Sequence, residues 1–158
     1  MSETERIVEQ LKRAFVGNAW HGPAVMEILE GVTAEQAMAR PFEGAHSIWE
    51  LALHIEAWTR ACRSRLQGQR AELSEAEDWP AVIGSDEEGW KRVRESIQEA
   101  HDELAAAIKE LEDSRLDQPI VKGMSSVYIT LHGMIQHSLY HAGQIAILKK
   151  EFSERQTA

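Results

Sequence analysis

A chain of 158 residues with 17 basic and 26 acidic side chains has room for one hydrophobic core, and its net charge of −9 leaves no basic surface to neutralise phosphates. Nucleic acid and anionic membrane surfaces are therefore excluded as main partners, and no apolar run approaches the ~20 residues of a membrane span. A single domain over residues 1–158 is expected, placed in the cytoplasm because MSETERIVEQLKR is charged rather than signal-like.

From Glu3 to Phe15 the apolar residues Ile7, Val8, Leu11, Ala14 and Phe15 recur at helical spacing, and Gly17 and Asn18 end the pattern. Trp20-His21-Gly22-Pro23 reads as a break, after which Pro23 can open a second segment through Val25, Ile28, Leu29 and Val32. Thr33-Ala-Glu-Gln36 has capping-box form and predicts a short helix ending before Pro41. A second capping box, Ser47-Ile-Trp-Glu50, opens a strong helix whose stripe is Ile48, Leu51, Ile55, Trp58, Cys62 and Leu66, ended by Gly68. His54 lies ~40° from Trp58 on that helix, at the stripe's edge and facing the interior.

Residues 69–84 lack periodicity and predict a connection of about 16 residues, beyond ordinary loop length and hence functional or loose. Ser85-Asp-Glu-Glu88 is expected to cap a third long helix with the seam Trp90, Val93, Ile97, Ala100, Leu104, Ala107 and Leu111. His101, among charged neighbours, is expected at the surface. After a break at Asp117–Gly123, a fourth long helix starts near Ser125 or Ser126. The elements predict an all-α, antiparallel four-helix bundle, with the long connection between the second and third long helices allowing a crossover.

The last helix carries three of the seven histidines, in YITLHGMIQHSLYHAGQIAILKK (Tyr128–Lys150). His137 and His141 lie one turn and ~40° apart, so both imidazoles can reach one metal ion. His132 sits ~140° from His137 and is left out of that pair. An isolated HxxxH is also compatible with core histidines satisfied by backbone carbonyls or water. His46 lies ~12 Å along the helix from His54, too far to share a metal, and belongs at a helix amino terminus. His21 and Trp20 are candidates for a pocket mouth, although a helix break explains them equally. Gln144, one turn after His141, can hydrogen-bond near the pair or serve as a structural amide. The single cysteine, Cys62, excludes an internal disulfide and a cysteine-rich zinc site, and its place in the apolar stripe favours inert packing over nucleophilic use.

AWHGPAVMEILEGV (Ala19–Val32), HSIWELALHIEAW (His46–Trp58) and LHGMIQHSLYHAGQIAILKK (Leu131–Lys150) together make the chain resemble the DinB-like (YfiT-like) family of metal-binding four-helix bundles. The HxxYHAGQI end is the most specific piece. The resemblance implies a divalent metal ion, whether zinc, nickel or iron, held by His54, His137 and His141, with positions left open to water or substrate. It also implies a metal-dependent thiol S-transferase acting on small electrophiles, with a small-molecule thiol as the other substrate. The alternatives are a non-catalytic metal-binding or stress-related bundle and a metal-dependent hydrolase, the latter ranked lower because no acidic residue at fixed spacing marks a general base. Trp49, Trp79 and Trp90, read as exposed, give more apolar surface than one core needs and point to a homodimer.

Overall fold

The computed structural model describes residues 1–155, with side chains through Phe152. Four long helices carry the fold: α1 (Glu3–Phe15), α4 (Ile48–Leu66), α6 (Glu87–Lys109) and α7 (Val127–Arg155). Three short ones lie between them: α2 (Val25–Leu29), α3 (Ala34–Met38) and α5 (Glu75–Asp78). Among the described residues there is no strand, only an isolated bridge between Pro119 and Ser126, so the chain is all-α as its periodicity predicts.

Helix starts follow local chemistry. Ser2 with Glu5, Thr33 with Gln36 and Ser47 with Glu50 form reciprocal capping boxes on α1, α3 and α4. The third long helix begins one residue later than expected, because the Asp86 carboxylate rather than Ser85 accepts from Gly89 N, at 2.8 Å. Ser126 Oγ accepts from Ile129 N at the start of α7. The second segment stops at Leu29 instead of reaching Val32, and Gly31 then turns the chain with φ of 72°.

Side-chain registers give the helix directions. α1 and α4 each pack against both α6 and α7. Thr4 N bonds to Asp113, just beyond α6, while Phe15 stacks on His101, so α1 and α6 run antiparallel. His54 meets His141 and Trp58 meets His137, so α4 and α7 are antiparallel as well. Between α4 and α6 the register climbs together, Trp49 against Trp90, Glu56 against Ser96 and Arg60 against Glu103, which makes that pair parallel. A parallel pair obliges the connection to travel back along the length of α4, about 28 Å at 1.5 Å per residue. Residues 67–86 do this, and the crossover allowed for that connection is present. The connection is not structureless, since it contains α5, begun by Ser74, whose N and Oγ both donate to Glu77.

The core forms two apolar clusters, one toward each end of the bundle. Phe15, Ile48, Trp49, Ile55, Trp90, Ile97 and Ile145 belong to one. Ile7, Leu11, Cys62, Leu104, Ile108 and Leu131 belong to the other. His54 on α4, and His137 and His141 on α7, fall at the level where one cluster gives way to the other.

Two surface expectations are corrected here. Trp49 and Trp90 are 0% exposed, and the Trp90 indole donates to Val32 O at 2.7 Å; Trp79 is half-buried. Gly89 lets Trp49 approach α6, since a Cβ there would stand 3.3 Å from its ring. The apolar surplus read from these tryptophans is thus core. His101 is 1% exposed, not a surface residue: its ring stacks on Phe15 at 4.2 Å, and burial lowers its pKa. Charged neighbours in sequence misled there: Glu99 and Glu103 lie on the opposite side of the helix, while the Asp102 carboxylate lies 3.5 Å from the buried ring.

Candidate metal centre

The capping box at Ser47 fixes the start of α4 and so the side on which His54 emerges. On α7, the one-turn spacing of His137 and His141 puts both rings toward α4. The result is a compact cluster in which His137 Nε2 lies 3.0 Å from His54 Nε2 and 3.1 Å from His141 Nε2. One ligand nitrogen from each of the three lies within 4.8 Å of the others. Tetrahedral coordination at 2.0–2.1 Å would set the nitrogens about 3.3 Å apart, so a small outward adjustment of the rings accepts a divalent ion.

The opposite ring nitrogens show what the cluster is built to hold. His54 Nδ1 lies 2.7 Å from the carbonyl oxygen of Asp78 and 3.0 Å from its carboxylate, both of which can only accept. His54 therefore carries its proton on Nδ1 and turns a lone pair on Nε2 inward. Gln144 Oε1 accepts from His141 Nδ1 at 2.6 Å, with the same consequence for that ring. His137 Nδ1 is buried without a hydrogen-bond partner among the described residues. If His137 carries its proton on Nε2, it directs it at one neighbour and leaves the other lone pair opposed. A second proton is disfavoured, because burial, reinforced by His141 and His54, pushes its pKa down to about 4. Burial also lowers the His141 pKa, against the pull of Gln144. Two lone pairs converge already, on His54 and His141, and a cation that displaces any proton from His137 Nε2 meets three, so the residues fit the group.

The surrounding shell is aromatic. The Trp79 indole is sandwiched between His54, at 4.0 Å and 8°, and His46, at 3.5 Å and 7°. Trp58 Nε1 donates to the Asp78 carboxylate at 2.6 Å, and that ring also lies 6.0 Å from His137. Asp78 thus has both its carboxylate and its carbonyl turned to the outer side of His54.

The three histidines named from the sequence are brought together, and His132 is not. It packs on Tyr128 at 4.2 Å. His46 stands just ahead of the Ser47 cap, as expected, but it reaches the site's outer layer through Trp79. Gln144 bonds to His141 rather than serving as a distant structural amide. Trp20 is 101% exposed and His21 is exposed, both in the break between α1 and α2 and outside the cluster. Cys62 is buried and its thiol is pushed up to about 12 by burial, in keeping with inert packing. Asp78 and Trp79 were missed by sequence reasoning. The signal that could have found them is Ser74-Glu75-Ala76-Glu77, a capping box inside the long connection.

Fold and site together define an all-α protein with a three-histidine cluster that could hold a metal ion. The family model of the DinB superfamily matches residues 19–145, and the chain belongs to that superfamily. No curated protein and no solved structure matches it. No helix among the described residues is long and apolar enough to cross a membrane.

Proposed function

We propose that the protein is a metal-dependent thiol S-transferase, with His54, His137 and His141 holding a zinc, nickel or ferrous ion. The observation that carries this reading is the inward convergence of three Nε2 atoms, two of them made acceptors by the Asp78 and Gln144 contacts behind them. A divalent ion bound there supplies a lowered pKa to a coordinated thiol, stabilising the thiolate as nucleophile. Asp78 and Gln144 hold two imidazoles in register, and Trp79 screens His54 from water. In the transfer the thiolate sulfur forms a bond to the electrophilic carbon, the leaving group departs with the bonding pair, and the thiol proton passes to solvent. Hydrolysis ranks lower because the Asp78 carboxylate is engaged by Trp58 and His54, away from the face where a water would need a base.

The test is the metal-loaded protein with glutathione or cysteine and 1-chloro-2,4-dinitrobenzene, measuring loss of thiol and release of chloride. A metal-dependent rate above the uncatalysed one, absent in His137→Ala, supports the transferase. Bound metal with no acceleration for any thiol points to a non-catalytic bundle, and ester hydrolysis in its place points to a hydrolase.

The same reading places the protein in the cytoplasm, where small thiols are kept reduced, and makes it a homodimer. Support for the dimer moves from the tryptophans to α7, which carries no charged residue from Val127 to Leu148 and exposes Ile129, Tyr140 and Ile147.

A further inference from the structure

Two cavities of about 260 Å³ flank the histidine cluster, and they differ in chemistry. One, lined by Phe42, His46, Leu51, Gln144, Ile147 and Leu148, has no Lys, Arg, Asp or Glu in its lining and meets the cluster through Gln144 and, by way of Trp79, His46. The other lies in the groove between α4 and α7 and is lined by Trp58, Arg65, Thr130, Gly133, Met134 and His137, with Cys62 beneath. His137 thus belongs both to the cluster and to the wall of this second cavity.

Three features of the second cavity point to one kind of ligand. The Arg65 guanidinium forms no ion pair among the described residues; it lies 5.3 Å from the Trp58 ring centre, and its Nε donates to Ala71 O at 2.9 Å. Its terminal nitrogens are left to receive an anion. The other walls are mainly apolar or aromatic, with the Thr130 hydroxyl donating to Ser126 O at 2.9 Å, and the space is below the ~300 Å³ at which drug-sized ligand sites begin. The groove is open beside Gly133, where a Cβ would meet nothing within 4 Å.

We infer that this groove binds a small apolar monocarboxylate, its acid on Arg65 and its body along Trp58 and Met134, leaving the far end beside His137. Resting on the transferase reading, an acid of this shape that carries a leaving group on its far carbon is the electrophilic substrate: the thiolate sulfur bonds to that carbon, the leaving group departs with the bonding pair, and the thiol proton goes to solvent; 3-phenylpropionate is its unreactive stand-in. Arg65 and His137 both lie within 6.0 Å of one indole, so a molecule of this size reaches from one to the other.

The test is calorimetric titration of the full-length zinc-loaded protein with 3-phenylpropionate and with its neutral amide, and ligand-observed NMR under the same conditions. The acid should bind at least about tenfold more tightly than the amide, because a charge-assisted pair to guanidinium is lost in the amide. Arg65→Met should erase that preference, Arg65→Lys should restore part of it, and Gly133→Leu should block both ligands while zinc content stays unchanged. Equal binding of acid and amide by the wild type, or no binding of either, overturns the inference without recourse to any variant. So does a preference that survives Arg65→Met. Selective acid binding without thiol transfer would sink the transferase and keep the groove. Thiol transfer to an uncharged electrophile at the same rate in Arg65→Met, with no acid preference, would do the reverse.

Discussion

The backbone carbonyl and the carboxylate of Asp78 both accept from Nδ1 of His54, at 2.7 and 3.0 Å. A residue on the strap between α4 and α6 thereby sets the tautomer of a histidine on α4. Outer partners of metal-bound imidazoles typically change metal affinity by about 10- to 100-fold. Asp78→Ala keeps the carbonyl and loses the carboxylate, so it should weaken zinc binding about tenfold in a chelator competition. Gln144→Ala should do the same through His141. Unchanged affinity in both variants would contradict the assigned roles.

The cluster should also make the metal-free fold sensitive to acid. Burial and the neighbouring histidines hold His137 near a pKa of about 4, below the ordinary 6.5, and burial lowers His141 as well. A base whose folded pKa lies below its unfolded value stabilises the fold fully above the unfolded value, and that contribution is lost as pH falls through the folded one. Urea midpoints of the metal-free protein should therefore drop between about pH 6.5 and pH 4. His137→Gln should drop less over the same range. Equal slopes in the two proteins would refute this.

Packing and metal binding should separate. Trp90 is fully buried, contacts Trp49 and donates to Val32 O, so Trp90→Ala should cost about 3–5 kcal/mol of stability in urea unfolding. Zinc stoichiometry in the fraction that folds should stay at the wild-type value. Loss of metal from folded Trp90→Ala would mean that the site depends on the far side of the core.

The uncharged outer face of α7 predicts association. Sedimentation should show a dimer, and the double substitution Ile129→Lys with Ile147→Lys should yield a monomer with its helical content intact. A wild-type monomer at every concentration would remove the dimer.

Much of this architecture is legible in the sequence because its signals are local. Capping boxes mark α3 and α4, apolar periodicity marks α1 and the other long helices, and the four-residue spacing of His137 and His141 fixes their common face. The five-residue step from His132 to His137, ~140° round the helix, excludes His132. What escapes is set by contacts between distant segments. The parallel pairing of α4 and α6 follows from the path of residues 67–86, which no periodicity describes. Asp78 and Trp79 meet His54 only because that strap runs back along α4. His101 and the buried tryptophans were misjudged for the same reason, since which side of a helix is covered depends on neighbours such as Phe15 and Val32.

The central claim is that three imidazoles act together on one ion, and the direct measurement is the metal content of protein purified without added metal, followed by zinc titration. Wild type and His132→Ala should each hold one divalent ion per chain, and His54→Ala, His137→Ala and His141→Ala should hold none tightly, because two protein ligands compete poorly with water. All should keep their helical circular dichroism, as the apolar clusters supply most of the stability and the metal adds only its linkage contribution. Full metal content in His54→Ala, or its loss from His132→Ala, would contradict the account.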